Sequence, residues 1–243
     1  ASMASSLCQQ AKTGKTGNLG ATLNIGGMFG LVGGSSTRIS TAQSGGGSET
    51  PEITLEVSIS GAGNKLNNGT GDEHNNVYLG GVAGQSSRAL PIEDMNIKLT
   101  AKAMQAAETY IGGAVGYLAT SDAMTITGLT STVTVNGGTD ANKPVSIGSA
   151  HIGGVIGQAG AGVGESGGAA GFTIGTTGNR KINSTLIIVG HIKSTNTHVG
   201  GVIGQTNQEV SIYGTEAKLS IANTFVPTGN SSQNSGGEGS VNI

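Results

Sequence analysis

The sequence has few of the side chains that fill a compact globular core. Aromatic residues make up 3% of its 243 residues, tryptophan is absent, and charged residues make up 11%, against about a quarter in ordinary soluble domains. A chain of this length can bury a sizeable core, but this core must be built from Val, Ile, Leu, Ala and Gly. Such residues suit a thin, extended stack of strands better than a globule.

Charged residues and cysteine are also scarce, and this limits the kinds of function that the protein can have. The net charge is −2 and the isoelectric point is near 6.1, so nucleic-acid binding has little support. No hydrophobic run is long enough to predict a membrane span. Cys8 cannot form an internal disulfide, and we interpret it as a small buried hydrophobic residue.

Glycine, in contrast, is abundant and follows a repeating frame. An aromatic or polar residue, an aliphatic residue, Gly-Gly, two apolar residues and Gly recur in four close copies and a divergent first copy, at residues 24–31, 78–85, 110–117, 151–158 and 198–205. The glycine pairs are Gly26 and Gly27, Gly80 and Gly81, Gly112 and Gly113, Gly153 and Gly154, and Gly200 and Gly201. Five copies of one frame indicate a repeat protein, and the lack of a strict glycine triplet excludes collagen.

Two further apolar signals follow each copy of the frame. An isolated Ile comes first, as at Ile92, and a segment of alternating apolar residues comes next, as at Ile97 and Leu99. We interpret each repeat as three short strands with aliphatic side chains inward and polar ones outward. One such unit cannot bury its apolar face, whereas stacked units form a continuous core. The sequence therefore predicts an all-β fold, a β-solenoid (β-helix) of about five coils, with three short strands per coil and long corner loops.

This prediction divides the chain into three parts. Residues 1–24 are an incomplete leading coil, residues 25–226 are the five-coil repeat domain, and residues 227–243 are a Gly-, Ser- and Asn-rich segment that leads into a next coil or a neighbouring subunit. Residues 101–110 have the only marked helix propensity, and either a short helix or an irregular corner fits them.

The Gly-Gly pair has two interpretations. A corner or bulge in every coil would need residues without a side chain. Alternatively, a straight strand that alternates strictly through the pair would carry apolar side chains on both faces, and such strands are normally covered on both sides. Under this second hypothesis, Val82, Val155 and Val202 lie on a face covered by another chain, a loop or a flanking domain.

The residues that open the frame form a candidate site. If the coils stack in register, one ladder contains Tyr78, Tyr110, His151 and His198, and a second contains Gln85, Tyr117, Gln158 and Gln205. Stacked ladders ordinarily stabilise such folds, and a contact stripe for a glycan or for self-association is the alternative. No Cys, Asp or Glu recurs beside the histidines, so neither a metal site nor a cofactor is predicted.

Other motifs are explained by composition. Asn68, Asn183 and Asn230 head glycosylation sequons, which chance produces in a chain rich in Asn, Ser and Thr. Residues 162–167 fit the dinucleotide pattern G-x-G-x-x-G but lie in a glycine-rich loop. The acidic residues hold no equivalent positions in neighbouring repeats, so no catalytic pair of carboxylates is predicted.

The aliphatic-Gly-Gly-aliphatic-x-Gly frame, with its following Ile and alternating strand, resembles the GLUG repeats of large bacterial surface proteins and adhesins. The resemblance covers about residues 24–225, although Val-Ile or Ala-Val stands where Leu-Val is usual. It implies a cell-surface β-solenoid stalk or adhesive region with no catalytic residues to transfer.

We therefore expect a non-enzymatic, secreted or cell-surface structural or adhesive protein, with a filament or surface-appendage subunit as one form of it. The expected partners are copies of itself, adjoining coils, or a host or environmental glycan or protein. The alternative is a carbohydrate-active β-helix enzyme of the polysaccharide lyase or hydrolase type.

Overall fold

The protein is all-β over the residues that the structure describes. The computed structural model describes residues 22–33, 39–40, 50–58, 76–102, 106–120, 122–139, 145–160, 171–178, 180–227 and 240–242. In these ranges every helix or strand assigned is a strand, and the strands pair in parallel. The predicted all-β class is confirmed, and the stacked parallel strands are compatible with a β-solenoid.

The strands fall into three ladders, named here by the part of the repeat that forms them. The first ladder contains β1 (Thr22–Gly26), β5 (Asn76–Gly80), β8 (Ala106–Gly112), β11 (Val145–Gly153), the second half of β14 (Ile182–Gly200) and β18 (Ser240–Asn242). The second ladder contains β2 (Phe29–Val32), β6 (Ala83–Ser86), β9 (Val115–Leu118), β12 (Ile156–Ala159) and β15 (Ile203–Thr206). The third contains β3 (Ile39–Ser40), β4 (Glu52–Ser58), β7 (Ile92–Lys102), β10 (Thr125–Asn136), β13 (Phe172–Ile174), the first half of β14, β16 (Val210–Ile212) and β17 (Thr215–Pro227).

The ladders keep one register from repeat to repeat. Within the first ladder, the first glycine of each pair aligns with the first glycine of the next, in the order Gly26, Gly80, Gly112, Gly153 and Gly200. The residues that follow the glycine pairs are aligned as well. The N–H of Val82 donates to the carbonyl of Ala114 in the next repeat at 2.9 Å, and the N–H of Val155 donates to the carbonyl of Val202 at 2.8 Å. Residues that hold the same place in the sequence frame are therefore neighbours on adjacent strands.

Two apolar clusters fill the interior. One joins second-ladder residues such as Val115 to third-ladder residues such as Ile126, and the other joins first-ladder residues such as Leu79 to third-ladder residues such as Val133. All four of these side chains are fully buried. Because one buried aliphatic side chain contributes about 1.5–3 kcal/mol, small residues repeated along the ladders supply the core that the missing aromatics would otherwise supply.

The division of the repeat into strands differs from the prediction. The Gly-Gly frame is two strands, and in β7 and β10 the isolated Ile and the alternating segment form one long strand. Ile92 and Leu99 are seven residues apart, which strict alternation would place on opposite faces, yet both are buried. The reason is a local break in the alternation, where Asp94 has a φ of 53° and Gly128, its partner in register, has 64°. A bulge-like residue of this kind shifts the alternation by one.

Two further expectations concern residues 101–110 and the two ends of the sequence. The short helix or irregular corner expected over residues 101–110 is wrong for residues 101–102, which end β7, and for residues 106–110, which lie in β8 and pair with β11. Pairing between strands overrides local propensity there. Of the predicted leading coil 1–24, only residues 22–24 are described. Of segment 227–243, Pro227 and β18 are described.

Candidate functional site

The Gly-Gly pair forms a tight turn that folds each second-ladder strand back against the first ladder. A Cβ built on Gly84 would lie 2.7 Å from the carbonyl oxygen of Tyr78 and 2.5 Å from the amide nitrogen of Ile25. A Cβ built on Gly80 would collide with the carbonyl oxygen of Ala83. Neither glycine has a positive φ. Glycine is required here because the backbones approach closely, not because the dihedral angles are unusual.

The turn corrects the hypothesis of an externally covered face. Val82 and Val155 are fully buried, and the half-buried Val202 packs against the same apolar cluster. The chain reverses at the glycines, so strict alternation does not continue through them. These valines face the interior of the protein itself and require no cover from another chain.

A buried serine lies beneath the turn in two repeats. The Ser131 hydroxyl donates a hydrogen bond to the carbonyl of Gly154 at 2.6 Å, and the Ser184 hydroxyl donates to the carbonyl of Gly201 at 2.6 Å. The two serines are partners in register, next to Ile97 in the same column. These serines were not predicted as functional residues; their signal in the sequence is a small polar residue at an inward position of an alternating strand.

The four predicted ladder residues come together; we call Tyr78, Tyr110, His151 and His198 the ring ladder. The ring centroids of Tyr78 and Tyr110 are 4.8 Å apart, those of Tyr110 and His151 are 4.8 Å apart, and those of His151 and His198 are 5.0 Å apart. The last two pairs are nearly parallel, at 8° and 10°. Tyr117 from the second ladder adds a fifth ring, with its centroid 5.1 Å from that of Tyr78 and 5.2 Å from that of Tyr110.

The predicted second polar ladder is also in register. Gln85 aligns with Tyr117, Tyr117 with Gln158, and Gln158 with Gln205. Of these side chains, Gln158 is buried and the other three are half-buried. Because the second ladder folds back on the first, Tyr117 reaches the rings of the neighbouring column rather than staying within its own.

The ring ladder is packed rather than open. Tyr78, Tyr110 and His151 are each 8% exposed. Burial raises the pKa of the Tyr110 hydroxyl, which donates to a Glu108 carboxylate oxygen at 2.8 Å, and that bond raises it further. Burial also lowers the pKa of His151 to about 4, assisted by the neighbouring His198. These three rings are therefore largely covered by their neighbours, whereas His198 and Tyr117 are half-buried.

Polar groups at the ladder are incompletely paired. Among the described residues, the buried Nδ1 atoms of His151 and His198 have no hydrogen-bond partner. An unpaired buried nitrogen tolerates a neutral ring better than a charged one, which agrees with the lowered pKa of His151. Nowhere in the described ranges do three or more His, Cys, Asp or Glu residues group in a way that could hold a metal ion.

Charged side chains lie mainly on the outer surface of the third ladder. Lys98 bonds to Glu52 at 3.0 Å, and its ammonium lowers the pKa of that carboxyl. Arg180 bridges Glu93 and Asp94, each at 3.2 Å. Exposed pairs of this kind contribute little to stability, because solvent screens them. The neighbouring carboxylates of Glu93 and Asp94 are thus both held by one arginine.

The remaining sequence candidates are placed as follows. Asn183 is exposed on β14, next to the buried Ser184. Asn68, Asn230, Cys8 and the loop 162–167 lie outside the described residues. In the part of the chain that is described, no helix has the length and apolar character needed to cross a membrane.

Comparison with known proteins identifies no relative. The chain matches no protein-family model, no curated protein and no solved structure. Its function must therefore be inferred from the ladders, the glycine turns and the buried rings.

Proposed function

We propose that the protein is a β-solenoid of about five coils with three strand positions per coil, and that it serves as a non-enzymatic extracellular structural or adhesive element. The observation that carries this proposal is the unbroken register of the first glycines, from Gly26 to Gly200, through strands that are all parallel. Stacked strands must keep one register over this length, because a slip of one residue would turn every side chain to the wrong face.

Stacked ladders have the mechanical character that such an element needs. Each layer adds about 4.8 Å along the stacking direction and is hydrogen-bonded to the layers on both sides. The outward positions of the third ladder carry hydroxyl, amide and a few paired charged groups, as in Thr132, Thr185 and the Lys98–Glu52 pair. The result is a stiff rod section with a polar, nearly neutral side surface.

The resemblance to GLUG repeats supports a location on the cell surface or in the secreted fraction. It also supports an adhesive role, in which the partner is a host or environmental glycan or protein. Stacking of further coils, or of further copies of the chain, would lengthen the rod into a filament or surface appendage. The burial of Tyr78, Tyr110 and His151 supports a stabilising role for the ring ladder, and an adhesive contact would then use the outward polar surface.

Binding and degradation assays distinguish this proposal from the carbohydrate-active alternative. The folded chain and a heat-unfolded sample would be incubated with a panel of soluble and insoluble polysaccharides, and both retention and release of reducing or unsaturated ends would be measured. We expect no release above the unfolded sample. Release of sugars by the folded chain alone would favour the β-helix enzyme.

Localisation is tested separately. Antibodies against the chain should label intact cells of the source organism. Labelling that appears only after the cells are permeabilised would contradict the extracellular assignment while leaving the architecture untouched.

A further inference from the structure

The tyrosines of this chain are concentrated at one place. The sequence contains four tyrosines and no tryptophan, and Tyr78, Tyr110 and Tyr117 form a single group of rings, which we call the tyrosine cluster. Their ring centroids lie 4.8, 5.1 and 5.2 Å apart. The fourth, Tyr213, is 45% exposed. Tyrosine and tryptophan are the aromatic side chains that most readily give up a single electron, so the aromatic electron donors of the chain are gathered largely in this cluster.

One ring of the tyrosine cluster has a proton acceptor on its hydroxyl. The Tyr110 hydroxyl donates a hydrogen bond to a carboxylate oxygen of Glu108 at 2.8 Å, and bonds to a carboxylate are among the stronger ones. Burial, and then this bond, raise the pKa of the Tyr110 hydroxyl, so the phenol keeps its proton as long as it keeps its electrons. The hydroxyl of Tyr78, in contrast, accepts a bond from the side-chain amide of Asn76 at 3.4 Å, and an amide N–H is not a base.

The ring of Tyr110 is shielded along the column on both sides. Tyr78 lies on the preceding strand and His151 on the following one, and each ring centroid is 4.8 Å from that of Tyr110. The Tyr110 side chain is 8% exposed. Tyrosyl radicals in solution are lost when two of them meet and couple, and this burial would keep a radical on Tyr110 from doing so.

Tyr117 connects the buried ring with the surface. Its side chain is half-buried, and its ring centroid lies 5.1 Å from that of Tyr78 and 5.2 Å from that of Tyr110. Rings at this spacing are close to van der Waals contact, where an electron passes between them much faster than through an aliphatic core. An oxidant at the surface can therefore take an electron from Tyr117, and Tyr110 can replace that electron.

We propose that the tyrosine cluster is a redox site, at which Tyr110 is oxidised by one electron and Glu108 accepts the phenol proton. The electron leaves through Tyr117 to a one-electron oxidant, such as the high-valent haem iron of a peroxidase or a diffusing oxygen radical. The products are a neutral Tyr110 phenoxyl radical, a protonated Glu108 carboxyl group, and an oxidant reduced by one electron. A one-electron reductant such as a thiolate reverses the step, and Glu108 then returns the proton.

Proton transfer to Glu108 keeps a positive charge out of the cluster. Loss of the electron alone would leave a phenol radical cation among buried rings, where an isolated charge is costly. Transfer of the proton along the 2.8 Å hydrogen bond converts this cation and the carboxylate into two neutral groups. The pair therefore favours Tyr110 over Tyr78 as the residue that holds the radical. At the proposed extracellular location, such a site would divert oxidising radicals from the rest of the protein, although the redox step itself does not depend on that location.

The proposal is tested on the full chain with Tyr213→Phe as the background, so that every remaining tyrosine belongs to the cluster. A photogenerated ruthenium(III) polypyridyl complex removes one electron, transient absorption follows formation of the phenoxyl radical, and electron paramagnetic resonance of frozen samples identifies it. We expect a neutral tyrosyl radical whose rate of formation does not depend on the concentration of buffer base, because the base is supplied by the protein.

Glu108→Gln is the central variant, because it keeps an acceptor for the Tyr110 hydroxyl but cannot take its proton. Radical formation should slow by about 100-fold, a typical contribution of a positioned base, and should then increase with buffer base. Glu108→Asn is a second variant that suits the fold, since Asn76 holds the same position on the neighbouring strand. Tyr117→Phe should slow the reaction and leave the spectrum of the radical unchanged. Glu216→Gln removes an exposed carboxylate on β17 and is the matched control, with an unchanged rate.

Three results would overturn the proposal. Absence of a tyrosyl radical in the Tyr213→Phe protein would show that the cluster is not oxidised. Equal rates in both Glu108 variants and the control, with all proteins folded by circular dichroism, would show that Glu108 is not the proton acceptor. An unchanged spectrum and lifetime in Tyr110→Phe would place the radical on another ring. None of these results bears on the glycan and localisation assays, which test the proposed function independently.

Discussion

Substitution of the third glycine of the frame tests the close approach of the two ladders. A Cβ on Gly116 would lie 2.5 Å from the amide nitrogen of Leu79, 2.6 Å from the carbonyl oxygen of Gly84 and 2.8 Å from that of Leu79. All three atoms are backbone and belong to paired strands, so they cannot move aside without disturbing hydrogen bonds. Overpacking of this severity costs about 3 kcal/mol, offset by about 0.4–1 kcal/mol because alanine restricts the unfolded chain. We expect Gly116→Ala to lose about 2 kcal/mol.

Urea unfolding of the variant and of a matched control measures this loss. Gly178 is the control, because its φ is not positive and a Cβ there would meet only the Thr176 hydroxyl, at 3.7 Å. Gly178→Ala should be neutral or stabilising by about 0.4–1 kcal/mol. If Gly116→Ala were as stable as Gly178→Ala, the second ladder would not fold back on the first, and the explanation of the glycine frame would be refuted.

Three further predictions concern the serine beneath the turn, the ring ladder and the break in alternation. Ser131→Ala leaves the Gly154 carbonyl without its buried donor, and we expect a loss of about 1–3 kcal/mol in urea unfolding. His151 has its pKa lowered from 6.5 to about 4, so the unfolded state binds more protons and stability should fall as pH decreases from about 6.5 to 4, by at most about 3 kcal/mol. Asp94 occupies a left-handed conformation, so Asp94→Ala should be about 1 kcal/mol less stable than Asp94→Gly in thermal unfolding.

Each of these predictions has its own control. Thr132→Ala changes a neighbouring outward hydroxyl and should be nearly neutral; an equal loss would show that the Ser131 hydrogen bond is unimportant. His151→Phe keeps a stacked ring without a titrating group, and an unchanged pH dependence in it would assign the effect to another residue. Asp94→Ala with the stability of Asp94→Gly would mean that the backbone there is not left-handed.

The sequence predicts well which residues of different repeats align, and poorly where the chain changes direction. Positions such as Tyr78 and His151 could be matched because each has a fixed distance from a glycine pair, and equal distances give equal heights in parallel ladders. A corner at the Gly80–Gly81 pair was one of two interpretations, and the structure agrees with it; the sequence could not decide between them, because glycines carry no side-chain periodicity that distinguishes a strand from its reversal. The burial of Tyr78, Tyr110 and His151 depends on that turn and was not predicted. The single long strand β7 was missed because its odd spacing depends on one left-handed residue, Asp94.

The way in which an applied force is distributed within the protein depends on β14. This strand is hydrogen-bonded along its first half to β10 and β17 and along its second half to β11 and β18. Tension on the C-terminal part of the chain therefore enters one continuous strand that is anchored on both edges in two ladders. Layers nearer the N-terminus, whose strands are shorter and separate, would shear one at a time. Under an applied force, those layers should unfold first and β14 should unfold last.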